Sequence, residues 1–387
     1  MAHPGIAGVP PANHGGRDAR PPFDRFKEHI PLAPHTTIAV GGNARYFLAV
    51  HDITQLREAL DWAGHQRLPV FILGGGSNIV FPDEELNALV IQIALKAIWE
   101  SAAADTAGTV LATAAAGEDW DAFVAWTVER GWAGIECLSG IPGCAGATPI
   151  QNVGAYGQEV AETIASVTVL DRHNDATTEI PGEECAFGYR TSRFKTIDRG
   201  CYIVLSVTFR LVPGGKPAVR YHGLETYLAK NGIRHPTLRD VREAVLAVRR
   251  SKAMVVDHDE PNSRGCGSFF MNPIMSAQQF VDIRATAERA GVVSPGDTIP
   301  AHSVPDGRLK LSAAWLIERA GLRRGFHHGG AGISEKHSLA IVNFGGATAR
   351  DVTELAALVI AHVMEKFGVR LQPEPLILAP DGTIRAI

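Results

Sequence analysis

Three side chains sit in local settings that narrow the chemistry open to them. Arg190 lies in the run FGYR, between aromatic residues and close to Arg193 and Lys195. A guanidinium so placed can hold a carboxylate or other oxyanion in bidentate geometry, or it can be a surface arginine packed over Tyr189. Ser268 follows Gly267 and precedes the pair Phe269–Phe270. Its hydroxyl is a poor acid in water but can protonate a strongly basic carbanion formed beside it; an ordinary strand serine has the same surroundings. Cys266, two residues earlier, has a lower intrinsic pKa and on a strand would share the facing of Ser268, which makes it a rival proton donor. Glu374 is locked between Pro373 and Pro375, and the following proline biases it toward extended backbone. Its carboxyl is then held stiffly, or the PEP triplet merely ends a strand. Arg249 and Lys252 are three apart and share a helix face, where they bind a diphosphate or complement the helix C-terminus. The 15 histidines, His327 and His328 among them, form no HxH or HExxH pattern and read as structural or exposed.

The elements that must position these groups centre on Gly140–Gly157, GIPGCAGATPIQNVGAYG. Glycine and proline at this density exclude helix and strand, leaving either a site built from backbone N–H groups or a long connector. A second Gly-rich segment, Gly74–Asn78 (GGGSN), follows the apolar run Val70–Leu73. A strand opening into such a loop can curl its N–H groups around a phosphate oxygen, or simply turn. It is neither a Walker loop nor the GxGxxG fingerprint. Each Gly-rich segment leaves a small α/β unit, and the pairing suits a cofactor with two phosphates and a long ring system.

Around them, Thr37–Val50 reads as two short strands broken at Gly41–Gly42, and a helix capped by Asp52 carries Ile53, Leu56 and Leu60. A strand from Leu111 leads to a helix capped by Asp119, with Trp120, Phe123, Val124 and Val128 inward, ended by Gly131. Ile164–Leu170 and Tyr202–Leu211 read as strands. The composition shift at Pro213–Pro217 marks a domain boundary. Beyond it come a helix introduced by Pro236 and Thr237, a short helix at Ala313–Ala320, the loop GFHHGGAG and a buried strand at Leu339–Phe344. A long helix then runs from about Asp351 to Phe367, and a last strand carries LQPEP.

The 387 residues, 45% of them hydrophobic, can build two or three domains. With 37 Lys and Arg against 41 Asp and Glu, net −4, there is no basic footprint for nucleic acid, and no apolar run reaches transmembrane length. The five cysteines are odd in number and contain no CxxC, which argues against a disulfide framework or zinc site. The N-terminus lacks a signal peptide's pattern and reads as a disordered tail, on a cytoplasmic protein.

Four motifs in order, ILGGGSN, IPGCAGATPIQNVGAYG, FGYR with GSFFMNP, and LQPEP, resemble those of the UDP-N-acetylenolpyruvoylglucosamine reductases, flavoenzymes that make UDP-N-acetylmuramate for bacterial peptidoglycan. The likeness runs from about His35 to Leu376. It implies an α+β fold: a two-subdomain FAD-binding region of the vanillyl-alcohol-oxidase type over residues 23–213, and a C-terminal α/β substrate-binding domain over 218–376. A tail at 1–22 and an extension at 377–387 flank them. The resemblance implies non-covalent FAD on Gly74, Gly75, Gly76, Ser77, Asn78, Pro142, Gly146, Thr148, Gly154 and Ala155, with NADPH as reductant. Arg190, Ser268 and Glu374 fall on the family's catalytic positions. Tyr221, Lys252 and Asn272 fall on positions that bind the uridine diphosphate, Tyr221 marking the subclass that closes a tyrosine-bearing loop. The expected partner is a UDP-sugar, with no metal, nucleic acid or membrane, and the expected assembly is a monomer. Two other readings stand beside this one: a same-fold flavin oxidase, often tethering its flavin through His or Cys, and a binding protein that has lost catalysis.

Overall fold

The computed structural model describes residues 26–102, 108–304 and 306–387. The expected tail at 1–22 lies outside the described residues.

The chain begins with β1 (Lys27–Pro31) and β2 (Asn43–Val50). Between them, Thr37–Val40 is not the strand its alternation implies. Ala39 takes φ +54°, and Ile38 and Val40 are buried in a core made chiefly by the last third of the chain. The polar backbone there is satisfied from far away: Asn343 Nδ2 donates to the carbonyls of Ile38 and Ala39, each at 3.1 Å. Then α1 (Ile53–Gln66) starts where the Asp52 carboxylate accepts the Gln55 N–H at 2.8 Å. It leads to β3 (Val70–Leu73), β4 (Ile79–Val80) and β5 (Leu86–Ile93). The first sheet has the order β1-β2-β5-β3, with the last three strands parallel, so α1 is the crossover of a βαβ unit.

A second, antiparallel sheet follows: β6 (Ile98–Ala102), β7 (Val110–Ala115), α2 (Trp120–Glu129), β8 (Trp132–Ala133), the small hairpin β9 (Gly154–Ala155) and β10 (Gln158–Glu159), then β11 (Ile164–Asp171), β12 (Thr177–Pro181) and β13 (Tyr202–Pro213). Its order is β12-β11-β13-β7-β6, with β8 on the end of β13. Leu89 and Ile91 of the first sheet share one core with Trp120 and Phe123 of α2 and Phe209 of the second sheet. Both Gly-rich segments therefore leave a single packed body.

Past Pro213, α3 (His222–Lys230) and α4 (Leu238–Ser251) do not join the C-terminal core. Leu224, Leu228, Val241 and Val245 close over Cys137. Arg242 grips Asp121 bidentately at 2.6 and 2.8 Å, pinning α4 to the start of α2.

The C-terminal part contains β14 (Ile274–Met275), α5 (Ala277–Arg289), β15 (Ala301–Ser303), β16 (Leu309–Leu311), α6 (Ala313–Arg319), β17 (His327–His328), β18 (Ala331–Ile333), β19 (Ile341–Asn343), α7 (Ala349–Phe367) and β20 (Leu376–Ile377). Two three-stranded sheets, β14-β16-β15 and β17-β18-β19, accompany three helices. The run GFHHGGAG, expected as a loop, carries the β17–β18 hairpin. The long helix has the Thr348 capping box and stops at Gly368, φ +67°. Finally β20 pairs in parallel with β4, Leu376 opposite Ile79 and Ile377 opposite Val80, which returns the end of the chain to the exit of GGGSN.

Candidate active site

The two Gly-rich segments meet. A Cβ on Gly75 would stand 2.7 Å from Gly143 Cα, and one on Gly76, φ +63°, would stand 1.9 Å from the His35 carbonyl oxygen. Only glycine permits this approach. Ser77 Oγ locks the contact by donating to the Pro142 carbonyl at 3.0 Å. Beside it opens a cavity of about 440 Å³ lined by Thr37, Lys96, Gly117, Ile141, Pro142 and Cys144, among others. Main-chain groups of the two glycine-rich loops and Lys96 line this cleft together with Asp119 and Asp121, whose carboxylates are engaged by the Ala122 N–H and by Arg242; N–H groups of such loops can hold phosphate oxygens. Burial pushes the Cys144 thiol pKa up, so this cysteine is not primed as a thiolate.

Other expected cofactor residues serve the cradle from inside. Gly146 lets Ala116 approach, Thr148 is buried and donates to the Ala145 carbonyl at 2.7 Å, and Gly154 and Ala155 form β9. The neighbouring Gly140 is held at both ends of its residue. Its N–H donates to Asp121 Oδ1 at 2.5 Å, and its carbonyl accepts from the buried Arg249 Nε at 3.2 Å. Arg249 also donates to the Met254 carbonyl at 2.6 Å. It is thus a strut of the loop, set in the last turn of its own helix. Lys252 caps α4, and its pKa is lowered by burial and then by Arg249.

Arg190 and Glu374 come together. Arg190 Nε stands 3.1 Å from Glu374 Oε1, with both side chains mostly buried. The contact is an ion pair without an aligned hydrogen bond, since the buried Nε–H has no acceptor in bonding geometry. Arg190 itself has φ +55°, and its Nη2 donates to the Gly154 carbonyl at 2.9 Å. Lys195 Nζ donates to the Arg190 carbonyl at 3.1 Å, and Ser192 Oγ to that of Ile150 at 2.6 Å, tying this turn to the Gly-rich stretch. Burial lowers the Lys195 pKa, opposed by Glu374 and aided by Arg190.

Ser268 is delivered by pairing. Phe270 bridges Pro373, the Glu374 N–H donates to the Phe269 carbonyl at 2.8 Å, and the Met271 N–H to that of Gln372 at 3.0 Å. The segments GSFFMNP and LQPEP therefore run antiparallel, with Ser268 half-buried just outside the ladder. The shared facing expected for Cys266 and Ser268 is not found. Gly267 turns the chain at φ +69°, and Cys266 lies in the C-terminal core with its thiol toward the Ile79 carbonyl at 3.6 Å. Burial pushes that thiol up to about 12.

Asn272 gives its N–H to Tyr189 Oη at 3.3 Å, and its Oδ1 accepts the Ala313 N–H at the start of α6. Tyr221 caps α3, is 43% exposed, and meets Tyr156 edge-on at 5.3 Å between ring centroids. Sequence reasoning passed over Gln151, whose Nε2 donates to Glu374 Oε1 at 3.3 Å, and Lys195. Gln151 lies inside a quoted motif and Lys195 five residues beyond FGYR, but nothing local marks either as part of the site.

Two family models match the chain: "FAD binding domain" over residues 44–178 and "UDP-N-acetylenolpyruvoylglucosamine reductase, C-terminal domain" over 259–378. The UDP-N-acetylenolpyruvoylglucosamine reductase of Thermobifida fusca is 45% identical over 355 residues, 91% of this chain and 98% of the relative. That of Saccharopolyspora erythraea is 44% identical over 352 residues, 90% and 94%. The crystal structure of the enzyme from Thermus caldophilus shares the fold, with a TM-score of 0.59 at 24% identity over 90% of this chain and 98% of that one. The α+β architecture of a FAD-binding region and a C-terminal domain, the paired Gly-rich loops and full-length identity at this level lead to one conclusion: the chain belongs to the UDP-N-acetylenolpyruvoylglucosamine reductase family.

Proposed function

We propose that the chain is the oxidoreductase that reduces the enolpyruvyl ether of UDP-N-acetylglucosamine enolpyruvate to UDP-N-acetylmuramate with NADPH, in peptidoglycan precursor synthesis. FAD, when bound, supplies the hydride chemistry between NADPH and the terminal carbon of the enolpyruvyl group. The cradle of Gly74–Asn78 with Pro142, Gly146, Thr148, Gly154 and Ala155 holds it, and the raised pKa of Cys144 supports a non-covalent mode.

The chain's residues handle charge and proton. Arg190 stabilises negative charge on the substrate carboxylate as carbanion character builds at the adjacent carbon. Glu374, when protonated, assists it, and Ser268 gives that carbon its proton. Lys252, Asn272 and Tyr221 bind the uridine diphosphate, with the Tyr156–Tyr221 contact supporting a tyrosine-bearing segment that folds over the substrate. The observation that carries this reading is the meeting of Arg190 and Glu374 at 3.1 Å, on a segment laddered to the one that bears Ser268.

The same reading takes the enzyme as a cytoplasmic monomer, with a FAD-binding domain at 23–213 and a substrate domain at 218–376, whose first two helices, α3 and α4, pack on the FAD-binding body. Among the described residues no helix is long and apolar enough to cross a membrane. Light scattering on purified protein tests the monomer. The test of function is anaerobic stopped-flow absorbance: reduce with NADPH, remove the excess, add the enolpyruvyl substrate. Rapid return of the oxidised flavin band is expected. Reduction without substrate-driven reoxidation points to the oxidase reading instead, and a protein with no flavin band after reconstitution refutes the cradle.

A further inference from the structure

Glu374 is approached from a second side. Gln151 Nε2 donates to its Oε1 at 3.3 Å, while Gln151 Oε1, at the other end of the amide, accepts from Asn78 Nδ2 at 2.9 Å. Asn78 Nδ2 also lies 3.4 Å from the main-chain carbonyl oxygen of Glu374. This fixes the amide. With Oε1 taking the Asn78 proton, only the NH2 end of Gln151 can face the carboxyl. Arg190 Nε stands 3.1 Å from the same Oε1. Oε1 therefore accepts from Gln151 and stands against the Arg190 guanidinium, without an aligned bond from its Nε–H, and among the described residues Oε2 has no hydrogen-bond partner. A proton on Oε1 would be pressed against the Gln151 donor and the positive charge of Arg190, whereas on Oε2 it leaves Oε1 free to accept.

We infer that Gln151, oriented by Asn78, is a positioning residue that makes Oε2 the proton-bearing oxygen of Glu374 and the one presented to substrate. The inference rests on the role proposed above for Glu374. It gives Asn78 a task apart from the cofactor. The residue that ends the first Gly-rich loop spends its side chain on Gln151 of the second loop and on the main chain of Glu374, so the cofactor cradle also sets the orientation of the acid.

The test is the two half-reactions of the FAD-loaded enzyme, with Gln151→Leu, the isosteric Gln151→Glu, Glu374→Gln and the double variant Gln151→Leu/Glu374→Gln. Gln151→Glu keeps the shape but replaces the donor with an acceptor, separating loss of the donor from loss of the fold. Both Gln151 variants are expected to slow the limiting rate of substrate-driven reoxidation by roughly 10- to 100-fold, as for a group displaced from its working geometry. The half-saturating substrate concentration, the rate of reduction by NADPH and the FAD dissociation constant from fluorescence titration should each stay within about threefold. The double variant should be no slower than Glu374→Gln alone, because Gln151 acts only through Glu374. If the Gln151 changes weaken FAD or slow reduction as much as reoxidation, or if the two effects multiply, the inference is overturned. If Glu374→Gln is slow while both Gln151 variants reoxidise at the wild-type rate, the inference alone fails. If Glu374→Gln itself reoxidises at the wild-type rate, the role of Glu374 falls and the inference falls with it.

Discussion

Replacing Ser268 by Ala, beside a matched Cys266→Ala, separates the two candidate proton donors. Intrinsic acidity favours the cysteine, so position must decide between them. Cys266 is 5% exposed, its thiol faces the Ile79 carbonyl, and burial pushes its pKa up to about 12. Ser268 sits across the Gly267 turn, half-buried, beside the ladder that carries Glu374. A positioned general acid contributes about 10²–10⁴ in rate, which is roughly 2.7–5.5 kcal/mol of barrier. Ser268→Ala should slow substrate-driven reoxidation in anaerobic stopped-flow by that factor while NADPH reduces the enzyme at an unchanged rate. Cys266→Ala removes a packed thiol from the C-terminal core; it should cost about 1–2 kcal/mol in a urea melt and leave both half-reactions alone. If Cys266→Ala blocks reoxidation and Ser268→Ala does not, the argument from burial and backbone turn is refuted.

Gly75→Val puts carbon where Gly143 Cα stands 2.7 Å away, so the two loops must part. About 1–3 kcal/mol of overpacking should weaken FAD retention by about 5- to 150-fold, read from the ratio of flavin to protein absorbance after dialysis. His337 is held neutral, its pKa lowered to about 4 by burial and then by Lys252, Arg249 and Arg324. Because the folded value lies below the unfolded 6.5, its contribution is full above pH 6.5 and is lost as pH falls to about 4, about 3 kcal/mol in all. Urea titrations at several pH values should therefore show a flatter acid limb for His337→Gln than for wild type; parallel limbs would contradict the assignment. Tyr221→Ala removes the edge-on contact with Tyr156 and should raise the KM for the UDP-sugar substrate about 3- to 10-fold with kcat little changed. A lowered kcat at unchanged KM would take Tyr221 out of substrate binding.

What could be read from the chain, and what could not, follows the range of the forces involved. Asp52, Asp119 and Gly368 mark helix ends because caps act within one turn, and the helices lie where those residues put them. Ser276 and Gln279 form a capping box of the same kind at the head of α5, a signal present in the sequence and not used. Alternation misled at Thr37–Val40, where Ile38 and Val40 are apolar because they belong to a core built more than two hundred residues later. Arg190, Ser268 and Glu374 were recognisable as odd settings, but their association was not. The link depends on the Phe270–Pro373 bridge and the β4–β20 pairing, neither of which has a local signature. Gln151 was hidden for the same reason. Its meaning appears only once Asn78 and Glu374 stand on either side of it.

The pairing of β20 with β4 also bears on how the protein is made at the ribosome. Asn78, Gln151 and Arg190 are translated first and can assemble with the cradle around them, whereas Glu374 arrives almost last and reaches them only as Leu376 and Ile377 settle beside Ile79 and Val80. A translation product terminated ahead of Leu371 keeps both Gly-rich loops but lacks the carboxyl and the strand that seats it. Such a fragment lacks the carboxyl that pairs with Arg190, so on the role proposed for Glu374 competence for the second half-reaction arises only at the end of synthesis.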